Sequence, residues 1–198
     1  MRGLATAKTR LGPDLDAGTR RELAEVMLRR TLAATRDARS IAGTVVVTKD
    51  PDVAGLAHLH RGVGLVEHLP GLNEAIEAAR SVAVARGATA VLVLPADLPN
   101  VSAAAVDALV DAAAGKEHAP GGLVLLVTDQ HGRGTNALLL APPGVIAPAF
   151  GPDSRSAHRA AARAAGAQLL EVDGPLSLDV DTPEDLVVAA ATRDRGGR

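Results

Sequence analysis

The chain has no cysteine, no tryptophan, no tyrosine and one phenylalanine among its 198 residues. Without cysteine there are no disulfides, no thiolate metal sites and no cysteine nucleophiles. With one aromatic ring, base-stacking platforms for single-stranded nucleic acid are nearly excluded. The core must instead be packed with Ala, Val, Leu and Ile. Neither sign of charge is in excess, and the formal net charge of −2 argues against a polyanion binder working through bulk charge. Also missing are a secretory h-region and an apolar run long enough to span a bilayer. A cytoplasmic location is therefore expected. What is present, 47% hydrophobic and 22% charged residues, is ordinary for a globular enzyme, and the length suits one domain with a sizeable core.

Short β-branched runs at Thr44–Val47, Ala90–Leu94 and Leu123–Val127 predict strands, with weaker candidates at Ala137–Leu140 and Gln168–Val172. Between them, apolar residues at helical spacing predict helices over Ala17–Arg36, Gly71–Arg86, Ser102–Ala114, Ser156–Ala165 and Pro183–Ala191. This alternation indicates βαβ crossovers and an α/β fold of three layers. One domain is expected over residues 1–191, and Thr192–Arg198, with no apolar content, should fray. A nucleotide-binding α/β chain usually opens with a buried strand leading into its phosphate loop. Here Met1 and Arg2 run directly into loop-like sequence, which predicts a sheet short of one member or a start assigned too late.

The segment Val91-Leu92-Val93-Leu94-Pro95-Ala96-Asp97-Leu98-Pro99 carries the first chemical signal. It reads as a fully buried parallel strand ending in one carboxylate between two prolines. Ligands of such sheets gather at the carboxyl ends of strands, where a lone acid suits a divalent metal holding a phosphate-bearing substrate. The competing reading makes Asp97 a turn residue capping the following helix. In Asp179-Val180-Asp181-Thr182-Pro183-Glu184-Asp185, helix-start chemistry accounts for Thr182 onward but not for Asp179 and Asp181. Alternating in an extended segment, those two point in opposite directions, so one can face a cleft. Lys8 and Arg10, set among small residues before a helix, could wrap a triphosphate or could be a plain surface pair.

Three further segments are ambiguous. His131-Gly132-Arg133-Gly134-Thr135-Asn136 is either a ligand-hugging loop or a hairpin turn. Phe150-Gly151-Pro152-Asp153-Ser154-Arg155-Ser156 precedes a helix whose free amides suit an anion, although either serine could be only a cap. Asn73 could read a base edge or a sugar hydroxyl, or cap its own helix. His58, His60, His68, His118 and His131 show no metal spacing and receive no function.

Taken together these segments resemble the guanylyltransferases of coenzyme F-420 biosynthesis, which act on 2-phospho-L-lactate or phosphoenolpyruvate. The markers are Leu4–Leu11, Gly71-Leu72-Asn73, Pro95–Pro99, Gly134–Leu138, Phe150–Ser154 and Asp179–Pro183, spanning nearly the whole chain. The resemblance implies a three-layer, Rossmann-like nucleotidyltransferase fold (glycosyltransferase-A-like) with a mostly parallel sheet. It implies Mg²⁺ on Asp97 and Asp179, with Asp181 beside them. Lys8 and Arg10 would meet the GTP phosphates, and Asn73, Pro95 and Ala96 the nucleotide. Thr135, Gly151 and Ser154 would contact the phosphorylated three-carbon acid. The implied reaction is GMP transfer from GTP with release of pyrophosphate. GTP and the acid are the expected partners, without nucleic acid or membrane, and a homodimer is an admissible assembly. The rivals are a molybdopterin guanylyl- or cytidylyltransferase and a non-catalytic nucleotide-binding homologue.

Overall fold

The structure, a computed structural model, describes residues 15–114, 119–180 and 185. Asp16 opens α1 (Ala17–Asp37), its carboxylate accepting from the amides of Gly18 and Thr19 and so relieving two free helix donors. There follow β1 (Val45–Thr48), α2 (Pro51–Leu59), β2 (Val63–Val66), α3 (Leu72–Ala85), β3 (Val91–Val93) and α4 (Ala103–Ala114). After these come β4 (Leu123–Thr128), β5 (Thr135–Ala141), α5 (Ser154–Ala164), β6 (Gln168–Val172) and a 3₁₀ turn at Pro175–Ser177. The helices predicted over 17–36, 71–86 and 102–114 form within a residue of those bounds, and α5 starts two residues early. The helix predicted over 183–191, the tail from 192 and the question of the first strand lie outside the described residues. The pattern did not predict α2 or β2.

Among the described residues, β1 and β2 pair in parallel, and four strands lie in the order β3-β5-β4-β6. Strand β5 runs against both neighbours, while β4 and β6 are parallel. The expectation of a mostly parallel sheet is thus corrected to a mixed one. The reason is local: the tight turn 129–134 joins β4 directly to β5, and only antiparallel strands accept so short a connection. A second correction concerns β3. It is half-buried, bonded only to β5 among the described residues, whereas β4 is buried at every position.

Period-2 alternation along β4 divides the core between two faces. Leu123, Leu125 and Val127 pack with Val106, Leu109 and Ala113 of α4, with Ala34 of α1 and with Ala38 just beyond it. Val124 and Leu126 pack with Ala162 of α5 and with Ile146. These are the three α/β/α layers, filled by aliphatic side chains as the composition demands. A salt bridge from Arg39 to Asp107, together with bonds from the Ser40 amide and hydroxyl to the same carboxylate, locks the end of α1 onto α4.

Candidate active site

The carboxyl ends of β3, β4 and β6 lie on one edge of the sheet, and because β5 is reversed its first residues lie there too. Asp97 stands in the turn just beyond β3. Its backbone carbonyl accepts from the Val180 amide at 3.2 Å, which draws the Asp179–Val180 segment alongside. Leu98 and Val180, both essentially inaccessible, anchor the two segments from inside. Arg30 of α1 donates to the Pro99 carbonyl at 2.7 Å and holds the same turn. Asp97 does not cap α4: the Ala105 amide is taken by the Ser102 hydroxyl. Two carboxylates from distant parts of the sequence therefore share one strand edge.

Asp179 is positioned by a residue outside the expected site residues. Asn136, 4% exposed, donates through Nδ2 to the carbonyls of Leu176 (3.2 Å) and Ser177 (3.0 Å), and lies 3.4 Å from Asp179 Oδ1. From the second residue of β5 it thus ties down the loop that presents the acid. Beyond it, Gln130 donates to the buried Asp185 at 2.5 Å.

The glycine-rich segment is the hairpin turn between β4 and β5. Its Asp129 carboxylate accepts from the Arg133 amide, and a Cβ at Gly134 would come within 2.6 Å of Asp129 Oδ2, so a larger residue there would have to displace that carboxylate. Thr135 and Ser154, expected to share a ligand, are brought together: Ser154 Oγ donates to Thr135 Oγ1 at 3.3 Å. Gly151 takes φ +139° and Asp153 φ +55°, folding the Phe150–Asp153 turn sharply over the start of α5. Arg133 bonds Asp153 at 2.9 Å, clipping that turn to the hairpin.

Asn73 is not a cap, since Gly71 holds that position in α3. Both ends of its carboxamide are engaged. Nδ2 donates to the Phe150 carbonyl at 3.0 Å, and Oδ1 accepts from the Phe150 amide at 2.7 Å. Its role in the structure is to fix the turn that carries Gly151. His158, absent from the candidate list, is fully buried beneath this turn, in edge contact with the Phe150 ring and bonded to Thr135. Burial lowers its pKa to about 4, so it is neutral at physiological pH. Its spacing of four from Ser154, one helical turn on the same face, was the available signal.

Lys8, Arg10 and Asp181 lie outside the described residues. Among those described, no three His, Asp or Glu side chains converge on one point. Asp97 and Asp179, brought to one strand edge by the Val180–Asp97 backbone bond, are the residues that could hold Mg²⁺, which takes one or two protein carboxylates and completes its shell from substrate phosphates and water. Two surface hollows, one by Arg36 and Arg61 and one by Thr89 and Pro142, are lined by none of these residues.

Residues 1–190 match the family described as guanylyl transferase CofC like. The chain is 40% identical over 185 residues to a phosphoenolpyruvate guanylyltransferase of Sphaerobacter thermophilus, covering 92% of this chain and 86% of that protein. A protein of the same name from Rubrobacter xylanophilus is 41% identical over 184 residues, covering 92% and 87%. A crystal structure from Desulfovibrio desulfuricans G20, described as a nucleotide-diphospho-sugar transferase, superimposes with a TM-score of 0.77 at 16% identity. The match spans all of this chain and 86% of that one, and speaks to the fold alone.

Proposed function

The chain belongs to the CofC-like guanylyl transferase family, and from that premise we propose that it transfers GMP from GTP to phosphoenolpyruvate, releasing pyrophosphate. The observation that carries the reading is the 40–41% identity, over most of their length, to relatives bearing that name. The same names favour phosphoenolpyruvate over 2-phospho-L-lactate as acceptor. The place of the reaction is coenzyme F-420 biosynthesis, in the cytoplasm, by a single domain over residues 1–191.

An acceptor phosphate oxygen attacks the α-phosphorus of GTP, the bond from that phosphorus to the α–β bridging oxygen breaks, and pyrophosphate departs with that oxygen. The acceptor phosphate is ionised at neutral pH, so neither a protein nucleophile nor a general base is needed. The protein's task is positioning and charge stabilisation. Asp97 and Asp179, with Asp181, are the residues to hold Mg²⁺, which when bound neutralises phosphate charge and orients the two substrates. Lys8 and Arg10 are the cations assigned to stabilising the departing pyrophosphate, and Pro95 and Ala96 are assigned to the nucleotide. Thr135, Gly151 and Ser154 receive the three-carbon acid. Asn73, its amide engaged by Phe150, serves this site by holding the Gly151 turn.

The test is a pyrophosphate-release assay crossing GTP, CTP and ATP with phosphoenolpyruvate and 2-phospho-L-lactate, with and without Mg²⁺. Release confined to GTP with phosphoenolpyruvate and Mg²⁺ is expected. No release from GTP with either acid, in the presence of Mg²⁺, would sink the proposal.

A further inference from the structure

Among the described residues, His158 is the one fully buried titratable side chain of this region, and the reaction above gives it no role. Its two ring nitrogens have different partners. Nε2 lies 3.0 Å from the Ala149 backbone amide, a group that can only donate, so Nε2 must be the unprotonated, accepting nitrogen. The neutral ring then carries its proton on Nδ1, which faces Thr135 Oγ1 at 3.0 Å. The direction of this bond is fixed by a backbone amide on the far side of the ring.

Counting protons gives the consequence. The imidazole N–H enters the cluster as a donor to Thr135. The Thr135 and Ser154 hydroxyls bring one hydrogen each, and a single bond joins them at 3.3 Å. Whichever hydroxyl donates in that bond, one hydrogen is left over, and among the described residues neither hydroxyl has a further acceptor. With Ser154 donating, both lone pairs of Thr135 Oγ1 are occupied, and its own hydrogen must point out of the cluster. Thr135 is also the more accessible of the two, at 8% against 2%.

We propose that His158 is a positioning residue that fixes the Thr135 hydroxyl as a hydrogen-bond donor to a carboxylate or phosphate oxygen of the acceptor at that site. The inference rests on the acceptor site proposed above and adds how Thr135 is oriented within it. Without the imidazole, the Thr135 hydroxyl could donate or accept. With the imidazole and Ser154 both donating to it, Thr135 Oγ1 presents a hydrogen only, and such a bond is strongest to a charged oxygen. The low basicity of the buried ring supports this, because it stays neutral across the physiological range.

Two substitutions separate the halves of the ring. His158→Asn keeps an amide donor where Nδ1 stood, and His158→Gln keeps an acceptor for Ala149 and no donor to Thr135. Both should lower the melting temperature to a similar degree. His158→Gln is expected to raise the KM for phosphoenolpyruvate about tenfold with the KM for GTP unchanged, and His158→Asn to restore most of that loss. Equal KM values in the two variants, or a parallel rise for GTP, would overturn the inference. Nitrogen-15 correlation spectra of the parent's His158 need neither substrate nor turnover. Protonated Nδ1 with bare Nε2 at pH 7 supports the proposal, and protonated Nε2 overturns it. A parent that releases no pyrophosphate defeats the proposed function instead, and the ring spectra still decide the role of His158.

Discussion

Replacing Asn136 with aspartate keeps the shape of the side chain that holds the Asp179 loop and reverses the sense of its bonds. In the parent, Nδ2 donates to the Leu176 and Ser177 carbonyls and lies 3.4 Å from Asp179 Oδ1. Losing two donor bonds costs about 1 kcal/mol each. The new carboxylate then faces two carbonyls and another carboxylate. At 3.4 Å the charge repulsion is about 5 kcal/mol for an effective dielectric near 20, and about 1 kcal/mol in water. Asp179 is half-buried, so the true term lies between these limits. A destabilisation of about 3–7 kcal/mol at pH 8 is expected for Asn136→Asp. Repulsion raises the folded-state pKa of the introduced acid above its unfolded value. The deficit against the parent therefore grows as pH climbs from about 4 to that raised pKa, and is constant above it. Urea unfolding of parent and variant side by side at pH 8, 6.5 and 5 measures the deficit and cancels titrations common to both. A deficit below about 1 kcal/mol at pH 8, or one that does not shrink in acid, refutes the tethering role.

Three other outcomes follow from the same geometry. His158 is kept neutral by burial, its pKa lowered to about 4, so between about pH 6.5 and 4 the unfolded chain binds a proton that the folded chain does not. Parent stability should then fall by up to about 1.4 kcal/mol per pH unit on acidification through that window, above the range where Asp16, Asp37 and Asp107 titrate. A profile as flat as that of His158→Asn between pH 6.5 and 5 counts against it. Asp97→Asn should cut pyrophosphate release at least about 100-fold with an unchanged melting temperature, and near-normal turnover with Mg²⁺ would defeat the metal assignment. Asn73→Ala removes both bonds to Phe150 and should cost about 1–2 kcal/mol of stability while raising the KM for the acceptor more than that for GTP. Equal effects on the two KM values would place Asn73 outside the acceptor turn.

The layers were legible because they rest on long periodic segments. Twenty-one residues of α1 and the aliphatic run Leu123–Val127 of β4 leave no competing assignment. Short elements escaped for a physical reason. In α2 only nine residues form the helix, Gly55 interrupts its pattern, and in β2 Gly64 breaks a four-residue run. The Asp50–Pro51 start, with Asp50 capping Asp52 and Pro at the first helical position, was the signal that could have revealed α2. For the site, residue types marked the right segments, but not which member of a segment reaches which partner. Asn73 illustrates the limit: an amide at a helix start suits a base edge as well as a backbone, and only the fold shows Phe150 opposite it. His158 illustrates the converse: its neighbours Ala157 and Arg159 do not mark it as buried, and only its spacing of four from Ser154 hints at the shared face.

The absences in the composition explain how this edge is held. A site built from loops must resist their motion, and disulfides or clustered aromatic rings are common ways to do so. This chain has neither. Each loop is instead fastened by a polar side chain reaching out from a regular element to backbone groups. Arg30 of α1 holds Pro99, Asn73 of α3 holds Phe150, Asn136 of β5 holds Leu176 and Ser177, and His158 of α5 holds Ala149. Such bonds add little net stability one by one, but each leaves a half-buried or buried backbone group unsatisfied when broken. They therefore discriminate strongly between one loop geometry and its neighbours. Substituting a tether should accordingly disturb substrate affinity and loop order more than global stability, except at Asn136, where burial is deepest among the amides and two carbonyls depend on one nitrogen.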